Sequence, residues 1–321
     1  MFGAGKTTLV SSMRSIYGRK RDRARALFTG GRTQGIEVQA IEKDGIRVSL
    51  WDMAGQQEFH AFHDCMFPDI GTSSYQFPSM FMFVWSPIDS KSNAKGAVKN
   101  EADFEASFRY WLRFLASKSR QSNITLKLMV VFTRAHQMAT LSHAFSTLIY
   151  SLRSDFKGVI DIFDRPFHVD ARKKDSMSAV TSHIFDIAKD TLQGIQVYKI
   201  CTDVNKLLSK HLKNTNERII TWNKFTKICK MGKHASLNAS VNLNTIASTL
   251  SESGSIIYTS ENTHIVLDPN WFYNHIIASL IRFTKSETSE DTLVFNNGCV
   301  AREFLEGSLE STIGFKVEGS L

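Results

Sequence analysis

Gly3-Ala4-Gly5-Lys6-Thr7-Thr8, near the start of the chain, matches the second half of a phosphate-binding P-loop, G-x-x-x-x-G-K-[ST]. In such a loop, backbone N–H groups surround the phosphates, the lysine reaches the outer phosphates, and the first threonine hydroxyl ligates Mg²⁺. The stretch therefore predicts a nucleotide site. The predicted nucleotide contacts are Gly3, Gly5, Lys6, Thr7 and Thr8, and Thr7 is also a predicted metal ligand.

A P-loop normally connects a buried strand to a helix, and the printed sequence has no strand before this motif. The first glycine of the motif would lie before Met1. In a doubly wound sheet the strand in question is normally central. We therefore expect the sequence to represent a truncated gene model or a fragment.

Trp51-Asp52-Met53-Ala54-Gly55-Gln56 is the second stretch that carries chemistry. It closes an alternating strand, so Asp52 would stand at a strand end and hold Mg²⁺ through a water. The Gly55 N–H can reach the γ-phosphate, and Gln56 occupies the place of the residue that orients the attacking water in Ras-type enzymes. Thr33, between the two motifs, is predicted to close on Mg²⁺ and the γ-phosphate. The alternative for Thr33 is a turn before a strand.

The base-binding position departs from the Ras-like pattern. Ras-like proteins place N-K-x-D or T-x-x-D after the fifth strand, and its carboxylate accepts two hydrogen bonds from guanine. This chain has Thr133-Arg134-Ala135-His136. Neutral imidazole accepts one such bond and imidazolium accepts none, so His136 is expected to weaken guanine discrimination. Asp170-Ala171-Arg172 fits the short loop that backs the base, with a chance match as the alternative. Thr133 and Ala171 are thus predicted nucleotide contacts.

The spacing of apolar residues predicts helices that alternate with strands. Apolar residues alternate on both sides of Asp44-Gly45, which predicts a β-hairpin, and the apolar run within Ser79–Trp85 predicts a buried strand. This alternation indicates a Ras-like α/β domain over residues 1–193, with a doubly wound, mostly parallel sheet that lacks its first strand. Further helices are predicted over Thr7–Tyr17, Asp103–Lys118, Ala139–Phe156 and Ser176–Leu192, and further strands over Leu126–Phe132 and Pro166–Asp170.

The pattern changes after Gly194 to helices followed by a hairpin. Asp268-Pro269 is an N-cap followed by proline at the first helical position, which predicts a helix over Asn270–Phe283. Three helices and a β-wing predict an α+β, winged-helix-like segment over residues 194–321. Its earlier helices are predicted over Ile195–Leu212, from Thr221 onward and over Leu243–Leu250, and its hairpin joins Ser255–Tyr258 to His264–Leu267.

Composition and charge limit the classes of function. The 321 residues are 42% hydrophobic and 22% charged, as in ordinary globular proteins, and no apolar run reaches the roughly 18 residues of a membrane span. The four cysteines are far apart, which predicts reduced thiols in a cytosolic protein. The net charge of +8 is concentrated in Arg14–Arg32. We interpret this run as a solvated helix end and loop, and a nucleic-acid, membrane or targeting role is the alternative. No metal site is predicted at His60, His63 and Asp64.

Several stretches together resemble the Roc GTPase domain of Roco proteins. They are the P-loop half, Arg32–Ile36, Trp51–Phe59, His63–Pro68 and Arg109–Phe114. Ser253–Tyr258 and Leu267–Phe272 resemble the start of a COR domain. The pairing of Roc with COR is specific to Roco proteins, and the details resemble the plant type, in which leucine-rich repeats precede Roc-COR.

The resemblance implies that Mg²⁺ and GTP or GDP bind, that GTP is hydrolysed slowly, and that the COR segment forms a homodimer and relays the signal. In the plant type it also implies signal transduction in developmental patterning, by a cytoplasmic protein with at most peripheral membrane contact. Two other hypotheses stay open. His136 and the missing strand motivate an interaction scaffold without productive nucleotide binding. The positive charge motivates a winged-helix P-loop ATPase that binds DNA, although no basic recognition helix stands out and nucleic acid is not expected.

Overall fold

The structure is a computed structural model that describes residues 4–18, 35–55, 79–88, 99–122, 125–134, 142–192, 199–231, 242–258, 263–278 and 307. The predictions for Gly3, Thr33, Gln56 and His136, for most of the basic run and for the segment 60–64 fall outside these residues.

The first group of elements alternates helices with strands, as predicted. The strand β5 is an addition, because three residues are too short to show a periodic pattern. The elements are α1 (Lys6–Tyr17), β1 (Ile36–Lys43), β2 (Ile46–Met53), β3 (Met80–Trp85), α2 (Glu101–Ser122), β4 (Leu126–Thr133), α3 (Ser142–Asp155), β5 (Ile160–Ile162), β6 (Phe167–Val169) and α4 (Lys174–Thr191).

Strands β3 to β6 form a parallel sheet with β4 in the middle. β3 pairs with β4 along its whole length, β5 pairs with the first half of β4, and β6 pairs with the second half. Alternate side chains of β4 enter two different cores. Leu128, Val130 and Phe132 pack with α2 and α3, whereas Met129 and Val131 pack with α1 and α4. Helices thus cover both faces, which confirms the doubly wound α/β prediction.

β1 and β2 form the predicted antiparallel hairpin, with Ile36 opposite Met53 and Lys43 opposite Ile46. Asp44 and Gly45 both have positive φ, 51° and 78°, as the two central residues of a type I′ turn require. This turn twists with the strands, so a local sequence signal was sufficient to predict the hairpin.

The second group of elements consists of helices around one core and a small antiparallel sheet, which confirms the winged-helix-like prediction. The predicted hairpin is partly wrong. β8 pairs mainly with β7, which was not predicted, and only Ile257 of Ser255–Tyr258 forms a bridge, to Val266. The elements are α5 (Lys199–Thr215), β7 (Ile219–Thr221), α6 (Trp222–Met231), α7 (Leu243–Glu252), β8 (His264–Val266) and α8 (Pro269–Trp271), which continues as a π-helix over Phe272–Ile277.

Two predicted helix caps are present in this group. Thr221 Oγ1 accepts a hydrogen bond from the Lys224 N–H at 3.3 Å, and Asp268 Oδ1 accepts one from the Trp271 N–H at 3.0 Å. The helix after Asp268 turns π-helical at Phe272, and residues 279–283 of the prediction fall outside the described residues. None of the described helices is long and apolar enough to cross a membrane.

The last helix of the second group docks along β1. The Val38 N–H donates to Asn270 Oδ1 at 2.6 Å, and Asn270 Nδ2 donates to the Val38 carbonyl at 2.9 Å. Asn274 Nδ2 donates to the Ile36 carbonyl at 3.2 Å. Side-chain amides therefore satisfy backbone groups at the edge of β1, as a neighbouring strand would.

Candidate nucleotide site

The P-loop residues turn into α1 through a glycine in the left-handed region. Gly5 has φ 78° and ψ 20°, and its carbonyl accepts the first helical hydrogen bond, from the Leu9 N–H at 2.9 Å. An L-residue adopts this conformation only with strain, so the motif needs glycine here. The N–H groups of the first turn of a helix point out of its N-terminal end, which makes this end of α1 suited to an anion.

Thr7 and Asp52, the predicted metal ligands on the described residues, lie in contact. Thr7 Oγ1 donates a hydrogen bond to Asp52 Oδ2 at 2.6 Å, across 45 positions of sequence. Asp52 is only 3% exposed, because it is the second-last residue of β2 and contacts α1. The contact places a hydroxyl oxygen and a carboxylate oxygen together at the start of α1.

Lys6 lies beside this pair. Burial lowers the pKa of its ammonium below the ordinary lysine value, and attraction to the Asp52 carboxylate opposes that shift. The lysine is thus a cation with reduced solvation. A negatively charged ligand at the start of α1 would stabilise its charged form.

Thr133 ties the end of β4 to the P-loop. Its hydroxyl donates to the Ala4 carbonyl at 2.8 Å and approaches the Trp85 carbonyl at 3.3 Å, and the residue is 2% exposed. The hydroxyl therefore positions the P-loop against the ends of β3 and β4. This support is a function that the sequence motif did not reveal.

The loop Asp170-Ala171-Arg172 lies at the same end of the sheet. Val169 pairs with Thr133, so Asp170 follows directly where β4 and β6 end together. The Ala171 carbonyl accepts a hydrogen bond from the Ser12 hydroxyl of α1, and Ala171 itself is 7% exposed. Ser12 was not predicted, because its partner is 159 positions away.

The structure brings most of the described site residues to one edge of the molecule. Gly5, Lys6, Thr7 and Asp52 lie together. The Thr133 hydroxyl contacts Ala4, directly before Gly5, and the Ala171 carbonyl contacts Ser12 of α1. Gly55 follows β2, directly after Asp52-Met53-Ala54, and Thr8 is exposed on α1. No group of three or more potential His, Cys, Asp or Glu metal ligands occurs among the described residues.

Comparison with known proteins gives two informative matches. Protein TORNADO 1 of Arabidopsis thaliana is 30% identical over an alignment of 304 residues, which covers 89% of this chain and 21% of the relative. A solved structure of Methanosarcina barkeri Roco2 RocCORdC, bound to GDP, matches with a TM-score of 0.58 and 19% identity. That match covers 99% of this chain and 82% of the solved chain. The chain is thus similar to TORNADO 1 in sequence and to a Roco protein in fold.

These two matches confirm the resemblance inferred from the sequence, including its plant type. The match to Roco2 extends over the whole chain, so the Roco-type fold of a Ras-like domain followed by COR accounts for both groups of elements. No family model matches the chain. The chain spans about a fifth of the length of TORNADO 1.

Proposed function

We propose that this Roco-type chain binds Mg²⁺ together with GTP or GDP and hydrolyses GTP slowly, as a molecular switch. The observation that carries the proposal is the 2.6 Å hydrogen bond from Thr7 Oγ1 to Asp52 Oδ2, beside Lys6. It joins the two predicted motifs in space. A lysine and a threonine at a helix start, next to a carboxylate at a strand end, are the parts that P-loop GTPases use for phosphates and metal.

Thr7 and Asp52 fit a Mg²⁺ ion by the chemistry of their donors. Mg²⁺ prefers oxygen ligands and keeps several of its waters, so one hydroxyl and one carboxylate, reached directly or through water, suit it. Asp52 Oδ1 is buried at the same place as Oδ2. The bound ion would neutralise charge on the phosphate oxygens. Thr33 is proposed as a further ligand that joins when GTP is bound.

The remaining P-loop residues are proposed to hold the phosphates. Burial removes water from the Lys6 ammonium, and a phosphate oxygen nearby would stabilise the charged form instead. Phosphate binding should therefore raise the pKa of Lys6 again. Backbone N–H groups at Gly5 and in the first turn of α1 would donate to the same phosphates. Gly3 and Thr8 complete the proposed phosphate contacts, and Thr133 and Ala171 are proposed at the base.

Gln56 is proposed to orient the attacking water, and the Gly55 N–H is proposed to bind the γ-phosphate. The Ala54 N–H donates to the Gly35 carbonyl at 2.8 Å, which holds the start of the Gly55-Gln56 segment against the start of β1. Thr33 precedes Gly35 by two residues. This hydrogen bond thus joins the described residues that adjoin the two segments proposed to sense the γ-phosphate.

We further propose that residues 194–321 form a COR segment that relays the nucleotide state of a Roc domain over residues 1–193, and that pairs two copies of the chain. The contacts of Asn270 and Asn274 with β1 support a relay, because β1 begins next to the proposed switch segments. Developmental signalling from the cytoplasm, through unidentified effectors, is the role that the plant Roco type supports.

Equilibrium binding of fluorescent GDP, GTP and ATP with Mg²⁺ tests the proposal. We expect guanine nucleotides to bind and Lys6→Ala to weaken them by more than about tenfold, the value of one charge-assisted hydrogen bond. Lys206→Ala is the matched control, because this exposed lysine pairs only with the neighbouring Asp203 in the described contacts. Tight GTP binding that survives Lys6→Ala would refute the site.

An interaction scaffold with the same fold is the second candidate, and His136 at the expected carboxylate position is the observation that favours it. A scaffold would form dimers without measurable nucleotide binding or turnover. The DNA-binding alternative has less support, because α7, the third helix of the winged-helix-like group, contains no lysine or arginine to contact phosphates.

A further inference from the structure

We propose that Asp170 supplies the carboxylate that reads the guanine base in this chain. The inference rests on the proposed function and names the specificity residue of the same site. It replaces the carboxylate that His136 cannot provide, since an imidazole offers at most one acceptor to the base.

The position of Asp170 follows from the register of β6 against β4. Val169 pairs with Thr133, and parallel neighbouring strands lie about 4.8 Å apart, so Asp170 leaves the sheet beside Arg134. The Thr133 hydroxyl is bonded to Ala4 of the P-loop. Asp170 therefore stands at the carboxyl edge of the sheet, one strand away from the anchor of the phosphate loop, where open α/β sheets bind nucleotides.

The Asp170 carboxylate is held in a defined orientation. Its Oδ1 accepts hydrogen bonds from the Arg172 N–H at 3.1 Å and from Arg172 Nε at 3.2 Å, and Arg172 Nη2 lies 3.5 Å from Oδ2. The Asp170 N–H donates to Ser176 Oγ at 2.8 Å, at the start of α4. The side chain of Asp170 is only 13% exposed. A nearly buried carboxylate fixed by backbone contacts is pre-organised for a ligand.

The Arg172 side chain presents to this carboxylate the same donor pattern as guanine. A guanidinium offers two parallel N–H groups in a fork, and the N1–H and 2-amino groups of guanine form a similar edge. The Arg172 side chain is 74% exposed. The guanidinium can therefore move into solvent when a base takes its place at the carboxylate. Arg172 thus occupies the position proposed for the guanine edge.

A purely structural function for Asp170 makes a different prediction. The bond from the Arg172 N–H and the bond from the Lys173 N–H to the Asp170 carbonyl, at 2.9 Å, order the loop whether or not a base binds. If loop order were the whole function, substitution would weaken every nucleotide by the same factor. Base reading requires that the preference among bases changes.

The test compares GTP, ITP and XTP in competition with fluorescent GDP, on the full chain with Mg²⁺. Asp170→Asn should weaken GTP by about tenfold or more, the value of a lost charge-assisted hydrogen bond, and should favour XTP relative to GTP. The amide can donate to the C2 carbonyl of xanthine, which a carboxylate repels. Asp161→Asn is the matched control, because Asp161 is exposed on β5, which pairs with the opposite end of β4.

Arg172→Ala provides a second variant. It keeps the hydrogen bond from the Arg172 N–H to Asp170 and removes the guanidinium that competes with the base. GTP affinity should therefore be maintained or increased, with the same order of preference among GTP, ITP and XTP. An equal loss of GTP, ITP and XTP affinity in Asp170→Asn would overturn the inference. If Lys6→Ala abolishes nucleotide binding in the same experiments, the proposed function stands and only the assignment of Asp170 to the base is lost. Absence of any guanine-nucleotide binding by the parent chain would overturn both.

Discussion

Substitution of Gly254 by alanine tests the docking of the second group of elements against the hairpin. Gly254 follows α7 with φ 69°, and a Cβ at this position would lie 2.8 Å from Val38 Cγ1 and 2.9 Å from Trp51 Cζ2. Both partners are hairpin residues, in β1 and β2. The neighbouring Ser49 hydroxyl donates to the Ser253 carbonyl at 2.7 Å, so the turn and the hairpin are bonded as well as packed.

The expected loss of stability has two parts. An alanine in the left-handed region costs about 1–2 kcal/mol, and forcing an additional methyl into a filled contact costs about 1–3 kcal/mol. Gly254→Ala should therefore lower the free energy of unfolding by about 2–5 kcal/mol, a large share of the 5–15 kcal/mol of a typical domain.

Gly158→Ala separates the two parts, because Gly158 has φ 84° and its Cβ would meet nothing within 4 Å. Urea unfolding of both variants, followed by circular dichroism, measures the difference. We expect Gly254→Ala to be at least about 1 kcal/mol less stable than Gly158→Ala. Equal losses in the two variants would refute close packing between the turn at Gly254 and the hairpin.

Two further predictions concern the docking residue Asn270 and the P-loop residue Lys6. Asn270→Ala removes both hydrogen bonds to Val38, so it should lower the free energy of unfolding by about 1–3 kcal/mol in urea unfolding, whereas the exposed Asn223→Ala should change it by less than about 0.5 kcal/mol. Comparable effects of the two asparagines would contradict the docking. Because burial lowers the pKa of Lys6 in the folded chain, the unfolded state binds more protons between that lowered pKa and 10.5. The contribution of Lys6 to stability should therefore increase with pH over this window in the nucleotide-free chain, and Lys6→Met should reduce the slope. An unchanged slope in unfolding measured from pH 8 to 10 would show that Lys6 is solvated.

Local sequence signals were enough for the elements with strong patterns. The hairpin was predicted from Asp44-Gly45, because few residue pairs tolerate positive φ at both positions of a tight turn. The start of α1 was predicted from Gly5-Lys6-Thr7, since the motif itself describes a loop that becomes a helix. The N-cap at Asp268 was predicted for a similar local reason.

Two short strands that were not predicted, β5 and β7, depended on the tertiary structure. β5 and β7 have three residues each, and such segments have no periodicity that separates them from loops. They become strands because their backbone N–H and C=O groups pair with those of β4 and β8. For the same reason the hairpin expected for Ser255–Tyr258 was reduced to a single bridge, since β7 takes most of the pairing of β8.

The sequence by itself determined which residues are proposed to carry the chemistry, namely Lys6, Thr7 and Asp52, because a P-loop and its partner carboxylate are encoded in contiguous motifs. Only the tertiary structure decided how the site is supported. The bonds from Thr133 to Ala4 and from Asn270 to Val38 join residues 129 and 232 positions apart. No local pattern records such pairs, because they form only where the sheet and the helices bring distant backbone groups within hydrogen-bonding distance.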